Sequence, residues 1–397
     1  MNVTAHENPP PRPTLEDGGP RLFSWLKTMR DHHPVWQDDH GVWHVFRYAD
    51  VQRVITEYEE FSADQTRAVP DQSRVSRGDL TLMDPPDHRK MRMLVSSVFT
   101  RRAIDTLAPR ITAICAELLK GVQDKDEFDL IRDFAYPLPV TVIAELLGVP
   151  AADQPLFREW SETIRFSDGA DPNSPELIAA VEGAVTATTE YLAQHCRSRR
   201  AEPRDDLISK LVQAEVEGVR MDDEETGTFA GLLLMTGHVT TVVLLANALL
   251  CFQERPGLYE ELRADRSLLP GAVEEVLRLR APFMHTKRVA KRPTEVSGVT
   301  IPPDQMIEAW LLSANHDERE FPHAERFDHR RDPNPHLGLG RGVHFCLGAP
   351  LARLEGRIAL NMLMDQFSGI DVLQREFEPY GWGLSGAQRL RVRPRRV

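Results

Sequence analysis

The chain has 397 residues, and its 48 Lys and Arg against 60 Asp and Glu give a formal net charge of −12. Hydrophobic residues make up 41% and charged residues 27%, which excludes a disordered, collagen-like or disulfide-scaffold protein. The acidic balance argues against nucleic acid as the main partner. The four cysteines are widely spaced and form no CxxC pair, so we expect a protein of the reducing cytoplasm.

The first twenty residues differ in composition from the rest of the chain. Residues 1–20 are polar and Pro-rich, and they contain no apolar stretch of the kind found in secretory signals. No repeat and no Gly/Ser linker divides the residues that follow. We therefore expect an extended or disordered segment over residues 1–20 and a single domain over residues 21–397.

The spacing of apolar residues predicts a mainly α-helical fold with small β-sheets. A short strand is expected over residues 42–48 and a helix over residues 49–57, and another helix opens at Pro85 and Pro86. Helical spacing recurs in six later segments, at residues 107–122, 137–147, 177–200, 205–217, 256–264 and 271–279. Alternation and β-branched residues predict short strands within residues 294–313. A loop over residues 315–341, a helix after Cys346 and an extended C-terminal segment follow.

The most apolar segment is residues 226–253, which contain no Asp, Glu, Lys or Arg. As a helix this segment would measure about 42 Å, which is enough to cross a bilayer. However, Gly237, His238 and Asn247 lie inside it, and the acidic run at residues 222–225 favours a helix N-terminus. We therefore predict a long helix buried at the centre of the protein and no membrane span.

A glycine-rich motif carries the clearest chemical signal in the sequence. Glycine, histidine and cysteine recur at alternate positions, in the order Gly340, Gly342, His344, Cys346 and Gly348. Glycines let a backbone loop approach a flat ligand closely. A cysteine where a helix begins meets unpaired N–H groups that favour its thiolate, which is a soft axial ligand for heme iron. The alternative is a buried structural cysteine beside a Gly-rich turn.

This motif resembles the cysteine loop of the cytochrome P450 family, specifically of its soluble bacterial members, and the resemblance runs from about Trp43 to the C-terminus. It implies the cytochrome P450 fold, with heme b between the long central helix and the Cys-loop helix. It also implies Cys346 as the axial thiolate, Gly340 and Gly348 at the cofactor, and O2 as co-substrate. The family usually has Phe where this chain has Leu339, which can still shield the thiolate but lacks the aromatic ring.

A second motif pairs opposite charges on one helix. Glu275 and Arg278 are three residues apart, which alone predicts no more than an ion pair on a helix surface. Together with residues 325–327, they resemble the Glu-Arg-Arg cluster that locks the family's Cys loop against the core. The resemblance implies that Arg326 is the third member and that all three residues are structural.

A third motif suits a ligand that carries carboxylates. His88 and Arg92 are four residues apart, so they share one helix face and can offer two donors to a carboxylate pair. The resemblance implies that both bind heme propionates, together with Arg288 and His344. Each of these side chains alone would more simply be a solvated basic group.

The long helix carries the residues expected on the oxygen side. Gly237 and Thr240 match the family pattern Ala-Gly-x-Asp/Glu-Thr-Thr/Ser, which implies that a local opening of the helix admits dioxygen and water and that Thr240 lies at the oxygen. Val239 stands where the family has a carboxylate, and Thr236 replaces Ala. Proton delivery therefore falls to water, to His238 or to a substrate hydroxyl, or it is slow.

The resemblance also implies the walls of an apolar substrate cavity, in residues 66–80, 164–178, 232–240, 282–286 and 384–388. The chain has no dinucleotide fingerprint and no flavin domain. Electrons are therefore expected from ferredoxin and ferredoxin reductase, with the protein acting as a monomer. Four arginines could dock an acidic ferredoxin, although scattered solvated side chains are an equal alternative: Arg101, Arg102, Arg341 and Arg353.

The predicted function is a heme-thiolate monooxygenase of a small apolar substrate. It would insert one oxygen atom from O2 into a C–H bond or epoxidise an alkene, and a polyketide or macrolide of bacterial secondary metabolism is the expected substrate. Val239 leaves open peroxide-driven or non-oxygenase heme chemistry. A heme sensor or carrier without turnover is the third alternative, which Thr240 and the apolar cavity disfavour.

Overall fold

The computed structural model describes residues 9–69, 78–165, 175–377 and 383–396. Fourteen α-helices lie in these ranges: α1 (Pro20–His32), α2 (Tyr48–Thr56), α3 (Asp87–Val98), α4 (Arg101–Asp105), α5 (Ala108–Lys120), α6 (Pro137–Leu147), α7 (Gln154–Arg165), α8 (Pro175–Ala201), α9 (Leu207–Gln213), α10 (Asp223–Glu254), α11 (Leu258–Ala264), α12 (Leu269–Leu279), α13 (Leu311–Asn315) and α14 (Ala349–Gln366).

Ten strands form three small sheets in the same ranges. They are β1 (Val35–Gln37), β2 (Trp43–Val45), β3 (Phe61–Ser62), β4 (Phe128–Asp129), β5 (Thr286–Ala290), β6 (Thr294–Val296), β7 (Val299–Ile301), β8 (Met306–Ala309), β9 (Phe367–Phe377) and β10 (Ala387–Arg396). The largest sheet has the order β1-β2-β8-β5-β3, a second has the order β4-β10-β9, and β6 pairs with β7. Only β2 and β8 pair in parallel among the described strands, with Trp43 opposite Ile307. The prediction of a mainly helical protein with small sheets is confirmed.

Helix α10 forms the centre of the molecule, as its composition predicts. A capping box starts it: the Asp222 carboxylate accepts from the Glu225 N–H, and the Glu225 carboxylate accepts from the Asp222 N–H. Helices α6, α8, α12 and α14 pack around it. By length and hydropathy α10 could cross a membrane, but 78% of its most apolar window is buried inside the protein. Burial of this kind marks the core helix of a large domain.

The boundaries of several elements differ from the predicted ones. Helix α9 ends at Gln213 rather than at residue 217, because Val216 and Val219 pair across a tight turn in which Glu217 and Gly218 have positive φ. Helices α1 and α7 are not among the predicted elements. Both are more polar than α6 or α10, so few apolar residues mark them, although Leu156, Phe157 and Trp160 of α7 do follow helical spacing.

The described part of the N-terminal segment, residues 9–19, forms neither helix nor strand, and helix α1 follows it directly. Leu15 is nevertheless buried in the main core, and the Pro10 carbonyl accepts from the Trp25 indole N–H at 2.8 Å. These contacts fix part of the segment against the domain. The single domain over residues 21–397 stays a prediction.

Candidate functional site

The site begins with a tight turn that delivers Cys346 to the start of helix α14. Gly340 and Gly342 both have φ near +70°, a backbone conformation that favours glycine, so these glycines are required for the turn itself. The Cys346 N–H donates to the Leu339 carbonyl at 2.9 Å, and the Phe345 N–H donates to the Gly342 carbonyl. Gly348 then forms the N-cap of α14 in an ordinary helical conformation. The loop thus presents the Cys346 thiol at a helix N-terminus, as predicted.

Burial raises the pKa of the Cys346 thiol overall, although groups that stabilise a thiolate surround its sulfur. Backbone N–H groups of Gly348 and Ala349 and the guanidinium of Arg92 lower this pKa. By contrast, burial raises the pKa of Cys115, Cys196 and Cys251 to about 12 each. Only Cys346 among the four combines partial exposure with helix N–H groups. It is therefore the cysteine best suited to bind a metal as thiolate.

Two histidines and an arginine meet beside this loop. The rings of His88 and His344 lie 4.3 Å apart between centroids, and the Nε2 atom of each is buried without a hydrogen-bond partner among the described residues. Burial lowers the pKa of His88 to about 4 and that of His344 to about 3. The Arg92 guanidinium, one helical turn from His88, donates to the Phe345 carbonyl at 2.6 Å. The structure thus places His88 and Arg92, two of the predicted propionate ligands, beside the Cys loop.

Arg288 approaches the same place from β5. Its side chain is buried, and burial lowers the pKa of its guanidinium to about 10. The guanidinium donates only to the Lys287 carbonyl and the Thr286 hydroxyl, and no ion pair with a carboxylate is found for it in the described part of the chain. Its charge further lowers the pKa of His344. A buried cation without a counter-ion is costly unless a ligand supplies one.

These side chains fit heme. Arg92, Arg288, His88 and His344 offer buried or half-buried donors that lack anionic partners in the described protein, and the two propionates of heme would supply two anions. Cys346 supplies a soft ligand atom for the iron beside them. The chemistry of the donor set therefore matches the cofactor that the sequence predicts.

A buried charge cluster holds the segment that precedes the Cys loop. The Glu275 carboxylate accepts two bonds from Arg278, at 2.7 and 2.9 Å, and both side chains are fully buried. Arg278 donates to the carbonyls of Asn315, Ala324 and Arg326. This arrangement ties helix α12 to the long loop after α13.

The third member of the cluster is Arg331, so the prediction of Arg326 is wrong. Arg331 Nε lies 3.2 Å from the Glu275 carboxylate, and its side chain is 9% exposed. The Arg326 side chain is 74% exposed and pairs with Glu325, and only its backbone carbonyl joins the cluster. The physical reason is the course of the loop, which turns the Arg326 side chain outward and brings Arg331 back against α12.

Glu274 is not among the predicted site residues. Its carboxylate links the segment before the Cys loop to helix α14, which follows the loop. Its carboxylate accepts two bonds from Arg353 of α14, at 2.7 and 2.8 Å, and contacts His336 at 3.1 Å. Hydrogen bonds from these two partners, opposed by burial, lower the pKa of Glu274 to about 2. In the sequence Glu274 is one of two adjacent glutamates, so no local signal separates it from a solvated side chain.

Helix α10 is continuous across the oxygen-side motif, so the expected local opening at Gly237 is not observed. A Cβ on Gly237 would come within 3.3 Å of the Ile143 side chain, so glycine here allows α6 to pack closely. Leu232, Thr236 and Thr240 are spaced by four residues and form a partly exposed strip on the helix. The Thr240 hydroxyl donates to the Thr236 carbonyl at 2.8 Å.

The neighbours of Thr240 point in other directions. Val239 is buried in a small apolar cluster with Leu384 and Phe283, so the position of the family's carboxylate is lined by apolar side chains in this protein. His238 is fully buried, with Nδ1 2.6 Å from the Leu234 carbonyl and its ring edge-on to Tyr136. It lies on the opposite side of the helix from Thr240, which argues against His238 as the proton relay.

The predicted cavity walls lie only in part within the described residues. Residues 70–77 and 166–174, from the first two wall regions, fall outside them. Phe283 and Leu384, from two other regions, form an isolated bridge and lie against Val239. The described walls that meet α10 are thus apolar, as a cavity for an apolar substrate requires.

Comparisons with known proteins agree with this geometry. A family model described as "Cytochrome P450" matches residues 171–379. Cyclomarin C epoxidase of Salinispora arenicola is 43% identical over 95% of this chain and 96% of its own length. Erythromycin C-12 hydroxylase of Saccharopolyspora erythraea is 45% identical over 88% of each chain. The ligand-free structure of cytochrome P450 TbtJ1 superimposes with a TM-score of 0.88 at 48% identity, covering 97% of this chain and all of the other.

Proposed function

Because this chain belongs to the cytochrome P450 family, we propose that Cys346 binds the heme iron and that the enzyme oxidises an apolar secondary metabolite. Members of the family are heme-thiolate enzymes that use O2 as co-substrate. The protein is a P450 monooxygenase, which hydroxylates a C–H bond or epoxidises a C=C bond. When bound, the heme supplies the activation of O2 that this insertion requires.

The assignment of residues rests on one observation. Four donor side chains that have no anionic partner among the described residues lie together beside the Cys loop. Arg288, His344, His88 and Arg92 would hold the heme propionates. Cys346 would hold the iron, with N–H groups of Gly348 and Ala349 directed at its sulfur. Glu274 and Glu275 keep this loop in place through Arg353, His336 and Arg331.

Thr240 would be the catalytic side chain on the oxygen side. Its hydroxyl donates to the Thr236 carbonyl, so its oxygen can still accept a hydrogen bond on the partly exposed strip of α10. Gly237 would serve by letting α6 approach, and Val239 by closing the adjacent wall with Leu384 and Phe283. With an apolar residue at 239 and His238 turned away, water or a substrate hydroxyl would carry the proton.

The substrate would be a bulky product of bacterial secondary metabolism, of the polyketide or macrolide type. Two relatives that match over most of this chain act on cyclomarin C and on erythromycin. The apolar contact of Val239, Phe283 and Leu384 suits hydrocarbon rather than charge at that wall.

The family uses small-molecule substrates and redox partners. We assign ferredoxin and ferredoxin reductase to this protein as its electron donors. We also propose that it is a cytoplasmic monomer. Arg101 and Arg102 of α4 are exposed, have no ion pair with a described carboxylate, and lie on a helix packed against α14. Arg341 is also exposed. Arg353 is already paired with Glu274, so it would add little to a docking surface for an acidic ferredoxin.

The anaerobic reduced-plus-CO spectrum of the purified protein, beside that of Cys346→Ala, tests the assignment. A red-shifted Soret band that is lost in the variant is the expected result. A band that persists in the variant would overturn Cys346 as the ligand. Erythromycin and a linear fatty acid would then be compared by their spin-state shifts, and a larger shift with the fatty acid would contradict the proposed substrate class.

Turnover with peroxide alone at the rate reached with ferredoxin would favour the peroxide-driven alternative. A ferric spectrum already showing a protein ligand on both sides of the iron would favour a sensor or carrier. Val239 is the one observation that favours the peroxide-driven alternative. The partly exposed strip that contains Thr240 argues against a sensor or carrier.

A further inference from the structure

Asn247 is a polar side chain in the apolar interior of α10, two turns after Val239. It is 1% exposed. Its amide nitrogen donates to two backbone carbonyls, those of Arg280 at 2.9 Å and of Ser385 at 3.1 Å. These acceptors are 33 and 138 residues away in sequence. A buried amide that loses its partners is destabilising, so both bonds matter for the native packing.

The two acceptor segments are tied to one another as well as to Asn247. The Ser385 N–H donates to the Pro282 carbonyl at 2.7 Å, and the Met284 N–H donates to the Gly383 carbonyl at 2.7 Å. The Ser385 hydroxyl adds a bond to the Ala281 carbonyl. Residues 280–284 and 383–386 therefore form one small unit, named here the wall unit, which Asn247 joins to the central helix.

The wall unit lies along one face of α10. Val239, Val243 and Asn247 follow one another at intervals of four residues and so share that face. Val239 lies in the apolar cluster of Leu384 and Phe283. A Cβ on Gly386 would come within 2.9 Å of a Val243 methyl carbon, so the backbone of the wall unit packs directly against the helix. The position of Leu384 and Phe283 thus depends on contacts two turns away.

We propose that Asn247 is a positioning residue for substrate specificity: its two hydrogen bonds hold the wall unit, and with it Phe283 and Leu384, at a fixed distance from α10. This inference rests on the proposed function, because that function makes residues 282–286 and 384–388 walls of the substrate cavity. Asn247 itself is buried and bound to backbone carbonyls, so it would act through the wall unit and not by contact with substrate or heme. Loss of its bonds would let the wall move and would change which ligands fit, without removing any group that acts in the oxidation.

Azole binding to the heme-loaded protein tests this inference without turnover. Imidazole is small and reports access to the iron, whereas 4-phenylimidazole also contacts the cavity wall. Asn247→Leu keeps the branching and the number of heavy atoms of the side chain but removes both donors. It should weaken binding of 4-phenylimidazole by about three- to tenfold relative to imidazole, which corresponds to the loss of about one hydrogen bond.

Leu250→Ala is the matched control, because Leu250 is equally buried on the same helix and belongs to the main core. It should lower the thermal midpoint of the apoprotein and leave the ratio of the two dissociation constants within about twofold. If Asn247→Leu does not fold, Ser385→Ala removes only the hydroxyl bond to Ala281 and should shift the ratio in the same direction.

An unchanged ratio in the folded variants would overturn the inference and leave Asn247 with a purely structural role. Failure of the unmodified protein to bind heme or imidazole would overturn the proposed function instead. The two failures are therefore distinguished by the same titrations.

Discussion

Arg331 Nε lies 3.2 Å from the Glu275 carboxylate, and both side chains are buried against the loop that leads to Cys346. Glu275 also accepts from Arg278, the Asp328 N–H and Asn334. One carboxylate thus holds residues 328–334, in the middle of the loop between α13 and the Cys turn. If Arg331 is removed, Glu275 keeps its two bonds from Arg278, so the cost is the loss of the Arg331 hydrogen bonds to a buried carboxylate and to the Pro322 carbonyl.

Arg331→Ala should therefore lower the free energy of unfolding by about 1.5–3 kcal/mol, the contribution of hydrogen bonds to a charged group. Arg326→Ala, which removes an exposed side chain, should change it by less than about 0.5 kcal/mol. Urea unfolding of the two apoprotein variants beside the unmodified chain makes the comparison. Equal losses in both variants would contradict the assignment of Arg331 as the third member.

Arg288→Met should affect stability and heme binding in opposite directions. The guanidinium is buried without a described carboxylate partner, so its removal should raise the thermal midpoint of the apoprotein. The same change should lower the heme-to-protein ratio after gel filtration, because a propionate loses its counter-ion. Arg89→Met is the control: it replaces an exposed arginine of α3 and should change neither the thermal midpoint nor the heme-to-protein ratio. A parallel fall of both quantities in Arg288→Met would contradict the proposed propionate site.

Glu355 should make stability depend on pH. It is fully buried on α14, and burial raises its pKa to about 8, although a hydrogen bond from Thr241 opposes this shift. The pKa is higher in the folded state than the ordinary value of 4.5. The stabilising contribution of the neutral carboxyl is therefore complete below about pH 4.5 and is lost as the pH rises toward 8.

Glu355→Gln keeps a neutral side chain of similar shape at every pH. Its stability relative to the unmodified protein should rise between about pH 5 and 8, by an amount of the order of a few kcal/mol. Denaturant unfolding of both proteins at three pH values in this interval measures the difference. A difference that stays constant with pH would show that Glu355 titrates normally in the fold.

Val239→Glu tests the proton supply on the oxygen side. Val239 packs against Leu384 and Phe283, so a carboxyl placed there would have a raised pKa and could act as a proton donor near neutral pH. We expect a larger fraction of the electrons consumed to appear in oxidised product. Val239→Gln has a similar size and no acid, and it should leave this fraction unchanged. Equal coupling in both variants, with good and poor substrates, would show that no special relay is needed.

Much of the candidate site could be predicted because its signals are local. The Gly340-to-Gly348 motif places a cysteine within three residues of a helix N-terminus, and that geometry needs no knowledge of the rest of the chain. His88 and Arg92 lie one turn apart on α3, so helical periodicity alone puts them on one face. The composition of residues 226–253 likewise predicts a buried central helix.

The tertiary structure decided whatever depends on residues distant in sequence. Arg326 and Arg331 are chemically identical candidates for Glu275, and only the path of the loop selects between them. Gly237 faces Ile143 of α6 instead of opening its helix, and Asn247 bonds carbonyls 33 and 138 residues away. Local spacing determines helices and the faces they present because those interactions close within one or two turns. Which partner meets each face is set by packing of the whole chain, where many residues of the same type compete for one position.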